Sequence, residues 1–295
     1  MSGAWRAGLA VLLAALAAAA QARIELVDDR GRTLVLERPA RRIVSLAPHI
    51  TETLYAAGAG DRLVGTVSHA DFPEAAKALP RVGDIRGLDL ERLLALKPDL
   101  VIVWLHGNAQ RQMDVLEAMG LPIYYNEPRQ LGEIADTIER FGVLAGTEAT
   151  ARSAAAAFRA RWQGLRARYA GRPRVDAFFQ VWRQPLMTIN RRHLISDVIA
   201  LCGGRNVFAD QPMLVPQPSL EAVVEADPEV MLTTGGPDEL AAHFGLWLAW
   251  PQLKAVARGN LVLLPADHIS QHSPRVLDGT QAICDAFERA RARRP

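Results

Sequence analysis

A short segment occurs twice in the chain, and the two copies align without gaps. Leu88–Val103, LDLERLLALKPDLVIV, aligns with Pro218–Thr233, PSLEAVVEADPEVMLT. Each copy predicts a short helix, a proline break and a buried strand. The chain is therefore expected to contain two related lobes, which present one glutamate each at equivalent positions, Glu91 and Glu221. At the start of a helix, such a glutamate could also serve only to complement the helix dipole.

Around the repeat, apolar strand patterns alternate with helical patterns, after an initial hairpin formed by Ile24–Asp28 and Thr33–Glu37. The predicted strands are Ile43–Ala47, Leu63–Val67, Leu100–Leu105, Ile123–Tyr125, Val175–Trp182, Val230–Thr234 and Leu261–Leu264. The predicted helices of the second half are Leu194–Leu201, Leu220–Ala226, Glu239–Leu248 and Arg275–Arg293. This alternation predicts an α/β fold, with two pseudo-symmetric α/β lobes that are built on central, mostly parallel sheets.

One long helix is expected to join the lobes. Glu148–Ala170 contains no proline, and its apolar residues recur at steps of three and four. These residues are Ala151, Ala155, Phe158, Trp162, Leu165 and Tyr169. The predicted organisation is an N-terminal lobe at 23–130, linker helices at 131–172 and a C-terminal lobe at 173–295. Because the connection is not rich in glycine or serine, it is expected to be stiff.

The first 22 residues are typical of a cleaved secretory signal. Arg6 precedes an apolar run, Leu9–Ala20, and Ala20-Gln21-Ala22 offers the small residues of a cleavage site. A membrane anchor is the alternative, but a span needs about 20 apolar residues. No cysteine follows the cleavage point, which disfavours a lipid anchor. The mature chain is therefore expected outside the cytoplasmic membrane, in the periplasm.

Composition excludes several classes of protein. The chain has 34 Lys+Arg against 32 Asp+Glu, and 49% of its residues are hydrophobic. A formal charge of +2 is too small to indicate a nucleic-acid binder, and the apolar content is too high for a disordered chain.

The two cysteines, Cys202 and Cys284, show no CxxC spacing. An oxidising compartment favours one disulfide between them. Two unpaired core thiols remain the alternative.

Catalytic and metal-binding motifs are missing. The chain contains no GxSxG, Walker A or HExxH sequence, which disfavours a secreted α/β hydrolase and predicts a protein that is not an enzyme. Of the seven histidines, only His268 and His272 have i, i+4 spacing, so neither a metal site nor a cofactor is predicted. Trp104, at the end of a predicted strand, is a candidate ligand contact, because open α/β sheets bind ligands at that edge.

Four segments resemble the periplasmic cobalamin-binding proteins of ABC importers. They are residues 42–65, RIVSLAPHITETLYAAGAGDRLVG; residues 68–104, SHADFPEAAKALPRVGDIRGLDLERLLALKPDLVIVW; residues 201–208, LCGGRNVF; and residues 272–287, HSPRVLDGTQAICDAF. The resemblance implies a monomeric substrate-binding protein that holds a small molecule between its lobes. It also implies that Glu91 and Glu221 dock onto arginines of an inner-membrane permease dimer, which works with ATPase subunits.

The implied ligand is cobalamin, although the cleft positions depart from the family pattern. The family's aromatic positions hold His69, Ile85, Met187, Val215 and His268 here, and only Trp104 is retained. The ligand-contacting loop corresponds to Asp267, His268, Ile269, Ser270 and Gln271. Histidines in the cleft could approach the metal of a macrocycle.

A haem or iron–siderophore receptor with the same fold is the alternative. An anionic siderophore would need cations in the cleft, for which Arg86, Arg183 and Arg275 are the candidates.

Overall fold

The computed structural model describes residues 23–84 and 87–295. The predicted signal sequence, the candidate ligand contact Ile85 and the candidate cation Arg86 lie outside these residues. The chain opens with the predicted hairpin, in which β1 (Ile24–Val27) pairs antiparallel with β2 (Thr33–Leu36).

The N-terminal lobe follows the predicted alternation of strands and helices. Its strands are β3 (Ile43–Ser45), β4 (Leu63–Gly65), β5 (Gly83–Asp84), β6 (Gly87–Leu88), β7 (Leu100–Trp104) and β8 (Ile123–Asn126). Its helices are α1 (Pro48–Ala56), α2 (Leu90–Ala95) and α3 (Gln110–Ala118), with single 3-10 turns at Gly60–Arg62 and Glu74–Ala78. The linker consists of α4 (Leu131–Ala145) and α5 (Glu148–Tyr169).

The C-terminal lobe repeats this alternation. Its strands are β9 (Val175–Phe179), β10 (Gly204–Asn206), β11 (Val230–Thr234) and β12 (Leu261–Leu264). Its helices are α6 (Leu194–Leu201), α7 (Leu220–Ala226), α8 (Leu240–Leu248), α9 (Lys254–Ala257), α10 (Ala266–Ile269) and α11 (Val276–Ala292), with a 3-10 turn at Pro237–Glu239.

The central sheets of the two lobes have the same topology. The strand orders are β4-β3-β7-β8 and β10-β9-β11-β12, so each lobe places its second strand at one edge and its fourth at the other. All neighbouring strands within these two sheets are parallel. The repeat units supply α2 with β7 and α7 with β11, and both strands occupy the third position. The prediction of two pseudo-symmetric α/β lobes is confirmed.

One apolar core runs through both lobes and the linker. Along β7, Leu100 and Ile102 belong to this shared core, whereas Val101 and Val103 face a core confined to the N-terminal lobe. In the C-terminal lobe, Met231 of β11 likewise belongs to a separate core on the outer face. Each sheet therefore has one face that contributes to a core shared by both lobes, a consequence of the two-residue period of a strand.

The two linker helices pack closely against each other. A Cβ on Gly142 of α4 would lie 2.2 Å from the Cβ of Ala151, so glycine is needed where the helices approach. The Arg159 guanidinium of α5 donates to Asp136 and Glu139 of α4 at 2.6–2.9 Å. The predicted long helix is confirmed, and it packs along α4.

Cys202 and Cys284 form a disulfide that joins the end of α6 to α11, with a Cα–Cα distance of 4.7 Å. Both residues are fully buried in the shared core. The predicted pairing is thus present in the structure.

Among the helices of residues 23–84 and 87–295, none is long and apolar enough to cross a membrane.

Candidate ligand-binding site

The carboxyl ends of the strands in both sheets face one cleft. In the N-terminal lobe, β3 leads directly into Ala47 and Pro48, and β7 ends at Trp104. In the C-terminal lobe, β12 leads through α10 to Ser270 and Gln271. These residues from both lobes line a cavity of about 440 Å³. This is the edge at which open α/β sheets bind their ligands, so the cavity is the candidate site.

Five of the predicted ligand contacts lie in this cleft. His69, Trp104, Ser270 and Gln271 line the larger cavity. A smaller cavity of about 300 Å³ contains His69 and Gln271 again, together with Asp267. His69 is exposed and has a φ of 64°, a left-handed conformation that is uncommon for a residue with a side chain. Such strained residues concentrate at binding sites.

Four further predicted contacts, all among the described residues, line neither of these cavities. Ile269 is fully buried in the shared core, so its side chain offers no surface to a ligand, and the structure assigns it to the core. His268, Met187 and Val215 are partly buried, and none of them lines either cavity between the lobes.

Trp104 is wedged between the lobes. A Cβ on Gly107 would lie 1.8 Å from Cε3 of the indole, so the ring rests against the glycine backbone. His49 of the N-terminal lobe and His272 of the C-terminal lobe approach the ring edge-on, with centroid distances of 5.3 and 6.1 Å. The indole Nε1 is buried without a hydrogen-bond partner among the described residues. Trp104 therefore connects the lobes as well as lining the cavity.

Behind Trp104 lies a cluster of three histidines that sequence reasoning missed, His49, His193 and His272. The ring centroids of His49 and His272 are 5.6 Å apart, and those of His193 and His272 are 5.8 Å apart. Nε2 of His49 and Nδ1 of His272 have no partner in the described part of the chain. The three residues come from distant segments, so no local spacing could have indicated the cluster.

Burial keeps the three imidazoles neutral. It lowers the pKa of His49 to about 3 and the pKa of His193 to about 4. The pKa of His272 is also far below its usual range, first because of burial and then because of the other two histidines. Residues 23–84 and 87–295 contain no group of three or more His, Cys, Asp or Glu side chains placed to hold a metal ion.

A buried ion pair links the lobes beside the cleft. Glu52, one turn after His49 on α1, is 3% exposed and accepts a hydrogen bond from Ser273 Oγ at 2.7 Å. The Arg275 guanidinium donates to the other carboxylate oxygen through Nε at 3.0 Å and Nη2 at 2.8 Å. Its Cζ lies 4.0 Å from the ring centroid of Phe72. We refer to Glu52, Ser273 and Arg275 as the inter-lobe clasp.

The clasp changes the role expected of Arg275. The sequence made it a candidate for holding an anionic ligand, but its guanidinium is occupied by Glu52. Arg183, a second candidate, is exposed and donates to the carbonyl of Ala242 at 2.7 Å. Lys77, which lines the smaller cavity, pairs with Glu74 at 2.8 Å.

The two glutamates of the repeat are exposed at equivalent helix starts. Asp89 caps α2 by accepting a hydrogen bond from the Arg92 amide at 2.9 Å, and Ser219 caps α7 through the Ala222 amide at 3.2 Å. Glu91 and Glu221 therefore lie in the first turns, as predicted. Hydrogen bonds from its own backbone amide and from Ser219 lower the pKa of Glu221, which favours the charged carboxylate.

The family model of periplasmic binding proteins matches residues 43–268. This chain belongs to that family. Among curated members, the vitamin B12-binding protein of Vibrio cholerae serotype O1 is 39% identical over 247 residues, which cover 83% of this chain and 88% of that protein.

Two solved structures extend the similarity to the fold. The crystal structure of the periplasmic vitamin B12-binding protein of Vibrio cholerae has a TM-score of 0.79 and 38% identity, covering 86% of this chain and 98% of that one. The apo form of a periplasmic heme-binding protein from Roseiflexus sp. RS-1 has a TM-score of 0.74 and 27% identity, covering 85% of this chain and 99% of that one. The expected family membership is thus confirmed over most of the chain.

The clasp should contribute far more to stability than an ion pair at the surface. We expect Glu52→Gln and Arg275→Met each to lower the free energy of unfolding by about 3 kcal/mol, because each leaves a buried polar partner unmatched. The double variant should lose less than the sum of the two losses. Urea unfolding measures all three values. The partly exposed pair Arg159 and Glu139 is the control, with a coupling of about 1 kcal/mol or less; equal coupling in the two pairs would contradict the clasp.

The histidine cluster should make the protein sensitive to acid. In the unfolded chain, His49 takes up a proton below about pH 6.5, whereas in the folded protein its buried imidazole stays neutral until about pH 3. The free energy of unfolding therefore falls as the pH falls through this window. His49 alone is expected to lower the free energy of unfolding by about 1.4 kcal/mol for each pH unit in this window. Urea unfolding between pH 7 and 4.5 should show a shallower dependence for His49→Asn. Leu54→Val, equally buried on α1, should lower stability without changing the dependence; the same slope in all three proteins would refute the linkage.

Proposed function

We propose that this chain captures cobalamin in the periplasm and delivers it to the permease of an ABC importer. The observation that carries the proposal is the identity of 39% with a vitamin B12-binding protein over most of both chains. A cleft bounded by both lobes, at the carboxyl ends of their strands, supports it. Secretion would use the signal predicted at residues 1–22, and the protein would act as a monomer without catalysis.

The charge of the cleft supports a ligand without a strong negative charge. Among the described residues, the lysine and arginine side chains that line the two inter-lobe cavities are Lys77 and Arg275, and both are paired with carboxylates. The carboxylates that line these cavities are those of Glu52, Asp71, Asp84 and Asp267. A ferric siderophore with a net negative charge would gain little from this surface. A corrin ring with peripheral amides can instead accept and donate hydrogen bonds.

A haem receptor is the second candidate, because one residue favours it. His69 presents an exposed imidazole to both inter-lobe cavities, and imidazole is a common axial ligand of haem iron. A solved relative at 27% identity is a heme-binding protein.

Titration of the purified mature protein decides between these ligands. We expect cyanocobalamin to give saturable, one-to-one binding by calorimetry, with a dissociation constant of about 1 µM or lower. Haemin should give no saturable heat in the same range. Saturable binding of haemin, with a Soret shift that His69→Ala abolishes, would establish a haem receptor and overturn the proposal. The shift should persist in the control His106→Ala, at an exposed histidine that lines neither inter-lobe cavity.

The exposed glutamates at the helix starts are proposed to meet the permease. Charge pairs at such a rim set the orientation and rate of docking more than the affinity for a small ligand. The double variant Glu91→Lys/Glu221→Lys should therefore bind cobalamin with unchanged affinity and fail to support cobalamin-dependent growth. Calorimetry and a growth assay in cells that lack the chromosomal copy measure the two effects.

The control is a double variant with the same change of charge at other exposed glutamates, Glu37→Lys/Glu225→Lys. Glu225 lies on α7, one turn after Glu221. Cobalamin uptake with this control variant should remain within about twofold of the wild type, because charges outside the contact with the permease act weakly. Uptake that survives reversal at Glu91 and Glu221, or that both double variants abolish equally, would show that these two positions are not the docking points.

A further inference from the structure

Trp182 exposes 62% of its surface, more than any other aromatic residue in the described part of the chain. It lies in the hairpin that follows β9, at the carboxyl end of the C-terminal sheet. Tryptophan is enriched at binding interfaces, where its large ring contributes much of the contact.

The edge that carries Trp182 faces the N-terminal lobe. In the C-terminal sheet, β9 and β12 both lie beside β11, and all three strands run in the same direction. The end of β12 leads to Ser270 and Gln271, which share the larger inter-lobe cavity with Trp104. Trp182 follows the end of β9 by three residues and therefore lies at the same edge.

The hairpin holds the indole in one place. Its Nε1 donates to the carbonyl oxygen of Gln184 at 3.0 Å. Two backbone hydrogen bonds close the hairpin, from Val181 to Met187 at 2.9 Å and from Met187 to Trp182 at 3.0 Å. A ring that is already ordered loses little conformational entropy when a ligand stacks on it.

Beside the ring is a third cavity, of about 460 Å³, with a mainly apolar lining that contains a few polar groups. The Gln180 amide at its base is fixed, because it accepts from Trp247 Nε1 at 2.8 Å and donates to the His243 carbonyl at 3.0 Å. Thr234 and the His243 side chain also line the cavity. An aromatic face next to hydroxyl and imidazole groups suits a flat ligand whose edge carries amides.

Trp104 is poorly suited to the same task. Its ring rests on Gly107, and His49 and His272 contact it edge-on, so it is partly buried, whereas Trp182 is exposed. Trp182 combines an open face with a fixed orientation.

We propose that Trp182 is the aromatic platform of the cleft, and that the adjoining cavity receives the amide-bearing edge of the macrocycle. This inference rests on the proposed function, which supplies the macrocyclic ligand. It assigns ring recognition to the C-terminal lobe and to a residue outside the positions at which the sequence resemblance predicted contacts.

The test compares variants of the full mature chain by calorimetry with cyanocobalamin. We expect Trp182→Ala to weaken binding about tenfold and Trp182→Phe about threefold or less, since phenylalanine keeps a smaller aromatic face. Thr234→Val should weaken binding by about threefold, the effect of one lost hydrogen bond. Trp250→Phe, which removes an indole of the same lobe outside the hairpin, should bind as the wild type does. Thermal unfolding checks that the variants fold.

Fluorescence adds a second readout. Bound corrin should quench Trp182 strongly, so Trp182→Phe should lose a larger part of the total quenching than Trp250→Phe. If Trp182→Ala binds cyanocobalamin with the affinity and quenching of the wild type, Trp182 is not the aromatic platform, while the proposed function stands. A wild-type protein that binds haemin and not cobalamin would overturn the proposed function, and the platform then requires that Trp182→Ala weaken haemin binding. Failure of the wild type to bind either macrocycle would overturn both.

Discussion

The carboxylate of Glu52 is the point on which the arrangement of the two lobes depends. It is buried on α1 of the N-terminal lobe, and its partners Ser273 and Arg275 come from the C-terminal lobe. Because a buried carboxylate without a partner is costly, the lobes cannot separate here without a large loss of free energy. The shared apolar core and the paired linker helices act in the same direction. The cleft is therefore largely preformed, which lowers the entropy lost when a ligand binds.

Local sequence patterns were sufficient to predict the architecture. The repeat placed Glu91 and Glu221 in the first turns of matching helices, because N-caps and apolar spacing act over a few residues. The apolar period of 148–170 predicted a helix whose buried face includes Ala151 and Phe158. Even the disulfide followed from the count of cysteines and the expected compartment.

The interior of the cleft could not be predicted in this way. The clasp joins Glu52 to two residues that follow it by 221 and 223 positions in the chain. The histidine cluster joins three separate segments. Such contacts leave no periodic trace in the sequence. Trp104 was expected at the cleft from its strand position, but its enclosure by Gly107 and two histidines became visible only in three dimensions. Ile269 belongs to a segment expected to be a loop, whereas one helical turn directs its side chain into the core.

The disulfide between Cys202 and Cys284 is confined to the C-terminal lobe. It closes a segment that contains β10, β11 and β12, three of the four strands of that sheet. In the chain-entropy model, closing a segment of this length contributes roughly 4–5 kcal/mol at 25 °C. In a reducing compartment the same chain lacks this contribution, so its unfolded state is more accessible there than in an oxidising one. The covalent bond thus couples the stability of the fold to the redox conditions around the chain.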